Sequence, residues 1–225
     1  MCVFCEFHAI KKMKNEIENK GYWIGEIESK EMFLQIGQEL GELSISRSDG
    51  NILDELIPKI KTETKRNSLS KMFGFNDFPY HTDCAYQKNP PRYIALRYVG
   101  NEASKTPTKM KCFNYNLLNE EEKYFVTNKM WFVTNGIGSF YSTICAKIGN
   151  NEFQVRYDPV CMRLVDNHKK LKEKWNVILD KFREEEVYWT KNKTLILDNW
   201  KMLHARGSVL LKEKATRKIQ RLNIK

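Results

Sequence analysis

Four histidines occur in the chain, at positions 8, 81, 168 and 204. His81 stands in FPYHTDCAY, two residues before Asp83. On an extended strand, positions i and i+2 share a face, so one imidazole and one carboxylate would converge on a single point. That pair suits a divalent first-row metal with coordination positions left open. A lone H-x-D is far more often served by ordinary hydrogen bonds, so a second segment has to decide. His204 lies in LILDNWKMLHARGS, just after an apolar run, and Arg217 follows it by 13 residues (217 − 204 = 13) in TRKIQRLNI. Strand alternation places Arg217, Ile219, Arg221 and Asn223 on one face and Lys218, Gln220, Leu222 and Ile224 on the other. A guanidinium on a core face needs an anionic partner, and a bound dicarboxylate would supply one through a two-pronged contact.

The elements that must position these groups are short. RYIALRYV (92–99), set off by Pro90-Pro91, reads as a strand, and FVTN, FQVRY (153–157) and TLILD (194–198) are similar runs. The first forty residues read as helical, with Ile10, Met13 and Ile17 on one face, then Met32, Phe33, Ile36 and Leu40. Asn119 before three glutamates predicts a capped helix start. Residues 166–186 carry Leu171, Trp175, Ile178, Leu179 and Phe182 at helical spacing. Many short strands with helical insertions predict a mainly β fold, a sandwich or jelly roll decorated by helices, in one domain over 1–225.

Composition adds boundaries. At 225 residues with 41% hydrophobic side chains, the chain can bury a sizeable core and is not a disordered tail. No apolar run approaches the roughly 20 residues that cross a bilayer. The opening MCVFCEFHAIKKMK has the wrong order for a secretory signal, so a soluble cytoplasmic protein is expected. Lysine and arginine number 38 against 28 acidic residues, a formal charge of +10. The basic residues are scattered, as on a solvated surface, although such a surplus also attracts nucleic acid and other anions. Of six cysteines only Cys2 and Cys5 form a C-x-x-C pair. Free thiols are the expectation, with a metal or redox role beside His8 as a minor reading.

The order H-T-D, then D-N-W-x-x-L-H-x-R, then an arginine 13 residues on, resembles the taurine dioxygenase-like family, near its clavaminate synthase-like group. NPPRYIALRYV and RYDPVCM (156–162) agree, and the likeness runs from about residue 66 to the C-terminus. It implies a double-stranded β-helix (jelly-roll, cupin-like) core over 66–225, with an N-terminal helical part over 1–45. It further implies Fe(II) held by His81, Asp83 and His204, with 2-oxoglutarate and O2 as co-substrates. Arg217 would bind the distal carboxylate of 2-oxoglutarate, assisted by Thr108, with Thr106 as the alternative. The implied reaction releases succinate and CO2 and oxidises a C–H bond, by default to an alcohol. Iron halogenases of related fold carry a small residue where Asp83 stands, so halogenation is not expected.

Around that centre, Arg221, Arg206, Arg156 and Tyr157 are candidates for substrate contact, each with a structural alternative. Trp200 and the run Phe73, Phe75, Phe78 and Tyr80 read mainly as packing, and Cys84 as a buried thiol. A small-molecule substrate is the leading expectation: an amino acid, a natural-product intermediate or a carrier-tethered unit. The same chemistry on a macromolecule such as nucleic acid, or an inactive basic binding protein of the same fold, are the alternatives.

Overall fold

The computed structural model describes residues 3–45, 50–64, 68–149, 152–166 and 169–225; Cys2 and His168 lie outside them. In chain order the strands are Tyr22–Glu26 (β1), Leu43–Ser44 (β2), Asp54–Leu56 (β3), Phe78–His81 (β4), Tyr93–Tyr98 (β5) and Ser104–Cys112 (β6). Trp131–Thr134 (β7), Ser139–Ser142 (β8), Cys145–Lys147 (β9), Phe153–Val155 (β10) and Met162–Leu164 (β11) follow. Glu184–Trp189 (β12), Lys193–Asp198 (β13), Met202–Arg206 (β14) and Ile219–Ile224 (β15) complete them. The helices are Val3–Lys20 (α1), Lys30–Leu40 (α2), Leu69–Phe73 (α3), Glu120–Asn128 (α4) and Lys169–Asp180 (α5).

Two antiparallel sheets face each other. One runs β1-β13-β5-β15-β2, with β3 also on β15; the other runs β12-β6-β14-β4. Residues 93–98 and 193–198 are buried almost throughout, both faces of each strand being covered. Inward, Ile94, Leu96, Tyr98, Leu195, Leu197 and Ile219 meet Met110, Val187, Trp189 and Met202 of the second sheet. Outward, Ala95, Ile196, Leu222 and Ile224 pack under Met13 and Ile17 of α1 and Phe33 of α2. Leu203, on the outer face of the second sheet, packs under an insertion whose core includes Phe125, Trp131, Trp175 and Ile178.

Local signals predicted several of these elements. The α4 start is a full capping box: the Glu122 backbone N–H donates to the Asn119 side chain, and the Asn119 N–H to the Glu122 carboxylate. On α2, the Ser29 hydroxyl caps the Met32 N–H. Two expectations are corrected, and one strand was not foreseen. The helical reading of the first forty residues is interrupted by β1, whose YWIGE pairs along β13. The helix expected over 166–186 stops at Asp180, and Glu184–Trp189 is an edge strand against β6. Its glutamates looked helical, but Glu184 and Glu186 are at ion-pair distance from Lys109 across the ladder. Residues 104–112, too polar to read as a strand, form β6, with Ser104, Thr106, Thr108 and Met110 turned inward at period two.

The exit of β5 runs tightly against the approach to β15. The Val99 N–H donates to the Lys218 carbonyl at 2.9 Å. A Cβ added at Gly100 would lie 2.3 Å from the Thr216 carbonyl oxygen and 2.4 Å from the Tyr98 hydroxyl. Gly100→Ala must therefore displace the backbone next to Arg217, at a cost of about 1–3 kcal/mol. A thermal melt should show a midpoint lowered by several degrees; an unchanged midpoint would show that the segment yields freely.

Candidate metal centre

The pairing of β14 with β4 sets His204 directly opposite His81. Both imidazoles are buried, with ring centroids 4.3 Å apart. The Nδ1–H of His81 donates to the Pro79 carbonyl at 2.9 Å, which leaves Nε2 unprotonated with its lone pair available to a metal. His204 Nδ1 is buried with no hydrogen-bond partner among the described residues. Asp83 Oδ1 lies 3.8 Å from His81 Nε2 and 3.9 Å from His204 Nε2. These distances are too long for hydrogen bonds, yet below twice a metal–ligand bond of about 2.1 Å. Among the described residues, His81, Asp83 and His204 form the one such group, their donor atoms all within 4.8 Å of one another.

Asp83 reaches this point differently from the alternation argument. Strand β4 ends at His81, and Asp83 sits in the turn that follows. Thr82, between the two, faces away: its N–H donates to the Tyr157 carbonyl at 2.7 Å, and its hydroxyl accepts from the Tyr157 N–H at 3.1 Å. The Asp83 N–H donates to the Asn199 side-chain oxygen at 2.8 Å. The Asn199 amide donates back to the Asp83 and Pro91 carbonyls, each at 3.0 Å. Asn199 is 1% exposed and holds the turn. The D-N-W motif contained it, but an asparagine has no spacing that declares such a role.

Electrostatics follow from burial. Burial alone would raise the Asp83 carboxyl, but Arg221 and the two imidazoles outweigh it and hold the pKa down to about 2. Burial, with His81 nearby, pushes His204 from 6.5 down to about 3 against the pull of Asp83. The pair of imidazoles beside an ionised carboxylate is therefore neutral at His204, the form that ligates metal. Arg221 donates from Nη1 to Asp83 Oδ2 at 3.0 Å and from Nη2 and Nε to Asp54 Oδ2 at 2.7 and 3.2 Å. Asp54, on β3, gave no sign in the sequence.

Arg217 lies just before β15 on the approach from a short 3-10 turn, its N–H donating to the Glu213 carbonyl at 2.9 Å. Its side chain is 5% exposed, its Nε has no hydrogen-bond partner among the described residues, and burial lowers its pKa to about 10. A buried, under-satisfied guanidinium suits an anionic ligand such as one end of a dicarboxylate. Thr106 is engaged with Glu213 and with the Ser208 carbonyl, at 3.0 Å from the latter. Thr108 accepts from the Trp189 indole N–H at 3.1 Å and pairs in register with Arg206, so its own O–H is available to donate.

The remaining candidates are placed as follows. Arg206 donates to the Gly74 and Asn76 carbonyls at 2.6 and 2.9 Å and lies 3.6 Å over the Phe78 ring. Burial, with Arg217 nearby, lowers its pKa to about 9. Arg156 donates to the carbonyls of Ala85 (2.7 Å), Gln87 and Lys88 (2.8 Å), tying down the chain that follows Asp83. Tyr157 packs its ring edge-on to Trp131 and against Trp175 in the insertion core. Both lie beyond the end of β10, outside the strand expected over 153–157. Trp200 donates to the Pro90 carbonyl at 3.2 Å beneath the Arg92 guanidinium. Phe73, Phe75, Phe78 and Tyr80 are half-buried, and Tyr80 packs against the insertion core. Cys84 is a buried thiol, pushed up to about 12 by burial. Asp158, a carboxyl absent from the expected set, is raised by burial and lies within electrostatic reach of His81 and Asp83.

No family model and no curated protein matches the sequence. Solved structures do. An asparagine oxygenase in complex with Fe(II), 2S,3S-3-hydroxyasparagine and succinate superposes with a TM-score of 0.76 at 10% identity, over 96% of this chain and 79% of that one. A taurine dioxygenase from Burkholderia xenovorans gives 0.74 at 15% identity, over 96% and 81%. An Fe, alpha-ketoglutarate-dependent oxygenase from an isonitrile synthetic pathway gives 0.70 at 15%, over 96% and 79%. The chain shares the fold of these oxygenases.

Proposed function

We propose that the chain is an Fe(II)- and 2-oxoglutarate-dependent dioxygenase, a single domain on a double-stranded β-helix core, that hydroxylates a small molecule. The observation that carries this is the meeting of His81, Asp83 and His204 in one buried group, with an under-satisfied Arg217 in the same sandwich interior. Neighbours of the same fold include an asparagine oxygenase and a taurine dioxygenase, which favours a small polar substrate. No helix is long and apolar enough to cross a membrane among the described residues.

In this reading His81 and His204 would hold the iron through Nε2 and Asp83 through Oδ1, a donor set that suits Fe(II). Fe(II) with 2-oxoglutarate supplies the oxidising power, releasing succinate and CO2. The protein's own part is placement. Arg217 and Thr108 receive the distal carboxylate, Glu213 balances Arg217 when that carboxylate is absent, and Arg206 and Arg156 fix the loops around the centre.

Succinate release should require both Fe(II) and 2-oxoglutarate and rise with substrate in a screen of amino acids and related metabolites. His81→Ala should abolish it. Arg217→Ala should raise the KM for 2-oxoglutarate at least roughly tenfold by removing a charge-assisted contact. Unchanged turnover in either variant would sink the reading.

The neutral His204 gives a pH test. Its pKa is 6.5 in the unfolded reference and about 3 in the fold, so below 6.5 the unfolded chain takes up the proton first. Metal-free protein should lose stability steadily as pH falls from 6.5 toward 3, and His204→Gln should flatten that slope. Parallel melting curves for the two proteins would contradict the buried, neutral imidazole.

A further inference from the structure

Arg221 occupies the position where sequence reasoning looked for an anchor for an acidic substrate group. Its surroundings point elsewhere. Two carboxylates already hold it: Asp54 through Nη2 at 2.7 Å and Nε at 3.2 Å, and Asp83 through Nη1 at 3.0 Å. The oxygens of Asp83 divide their contacts. Oδ2 takes the guanidinium, while Oδ1 faces both imidazole Nε2 atoms at 3.8 and 3.9 Å. Asp54 is 3% exposed and is fixed by the ladder, since β3 pairs with β15 so that Asp54 stands directly opposite Arg221.

We propose that Asp54 and Arg221 are a positioning pair that grips the outer oxygen of Asp83 and presents its other oxygen to the metal. The inference rests on the iron-site reading above and deepens it. Charge is the physical reason for a pair. A guanidinium sharing one carboxylate with a divalent ion a few ångströms away would repel that ion, in a buried setting where water screens little. Asp54 supplies the missing negative charge, so that Arg221 can orient Asp83 without expelling the metal. A short strand at the edge of the first sheet thereby acts on the centre through one intermediary.

The test is Co(II) titration into chelator-stripped full-length protein, followed by calorimetry and by the visible d–d band, which reports coordination rather than turnover. Asp54→Asn should weaken Co(II) binding by about 10- to 100-fold, the usual effect of losing a partner behind a metal ligand, and should shift the band. The charge-free double variant Asp54→Asn/Arg221→Gln removes the repulsive cation as well. It should recover part of the affinity while keeping the shifted band, because the outer oxygen is no longer held. If Asp54→Asn does not fold, the double variant decides alone. A wild-type band in the variant that folds would overturn the clamp while leaving the oxygenase reading intact. A wild-type protein that takes up no Co(II) would remove both.

Discussion

Everything at the centre depends on one ladder position, where His204 faces His81 across the β14–β4 pairing. Side chains directly opposite in an antiparallel pair stand about 5 Å apart at Cβ. Two imidazoles placed so can bring their Nε2 atoms to a shared point with no conformational search. Register is what makes this reliable. A one-residue slip would turn His204 to the outer face, where Leu203 now packs in the insertion core, so the hydrophobic pattern that fixes the sheet also fixes the ligands.

Bringing cations into such an interior sets the second constraint. Arg206, Arg217 and Arg221 are all largely withdrawn from water, and each resolves its charge differently. Arg221 has two carboxylates, Arg206 has backbone carbonyls and an aromatic face, and Arg217 is offset by Glu213 and Tyr98 while the Arg206 cation lies nearby. That ordering ranks their readiness for a ligand. The guanidinium with fewest partners gains most from an incoming carboxylate, and the one with two carboxylates gains least. An arginine's place in the alternation thus says that it faces inward, whereas its partners say what it can do there.

Much of this was legible in the sequence, for identifiable reasons. The chain has four histidines, and two of them stand at distinctive spacing from Asp83 and Arg217, while the α4 cap uses a local rule that needs no tertiary context. The alternation of 217–224 correctly paired Ile219, Arg221 and Asn223 on the inward side and Leu222 and Ile224 under the helices. What stayed hidden depends on distant partners. Asp54 is one acidic residue among 28, and only the β3–β15 pairing distinguishes it. Strand β6 is polar because its inward threonines bond to Trp189 and Glu213 instead of packing, which defeats a hydrophobicity count. The glutamates of β12 read as helix because nothing local reveals Lys109 waiting across the ladder.

The turn at Asp83 shows why a strand would have been the poorer solution. Along a strand, two residues advance by about 6.5 Å, which would hold the carboxylate and His81 apart at their bases. Ending β4 at His81 lets the chain fold back, but it leaves the Asp83 N–H without a ladder partner in a buried place. Asn199 answers that need, and it does so from the connection between β13 and β14, the segment that carries the chain on to His204. The same few residues therefore fix the second imidazole and the carboxylate together. A displacement of that connection would move two donors at once, so the geometry of the centre is set by a backbone amide and a neutral side chain as firmly as by the ligands themselves.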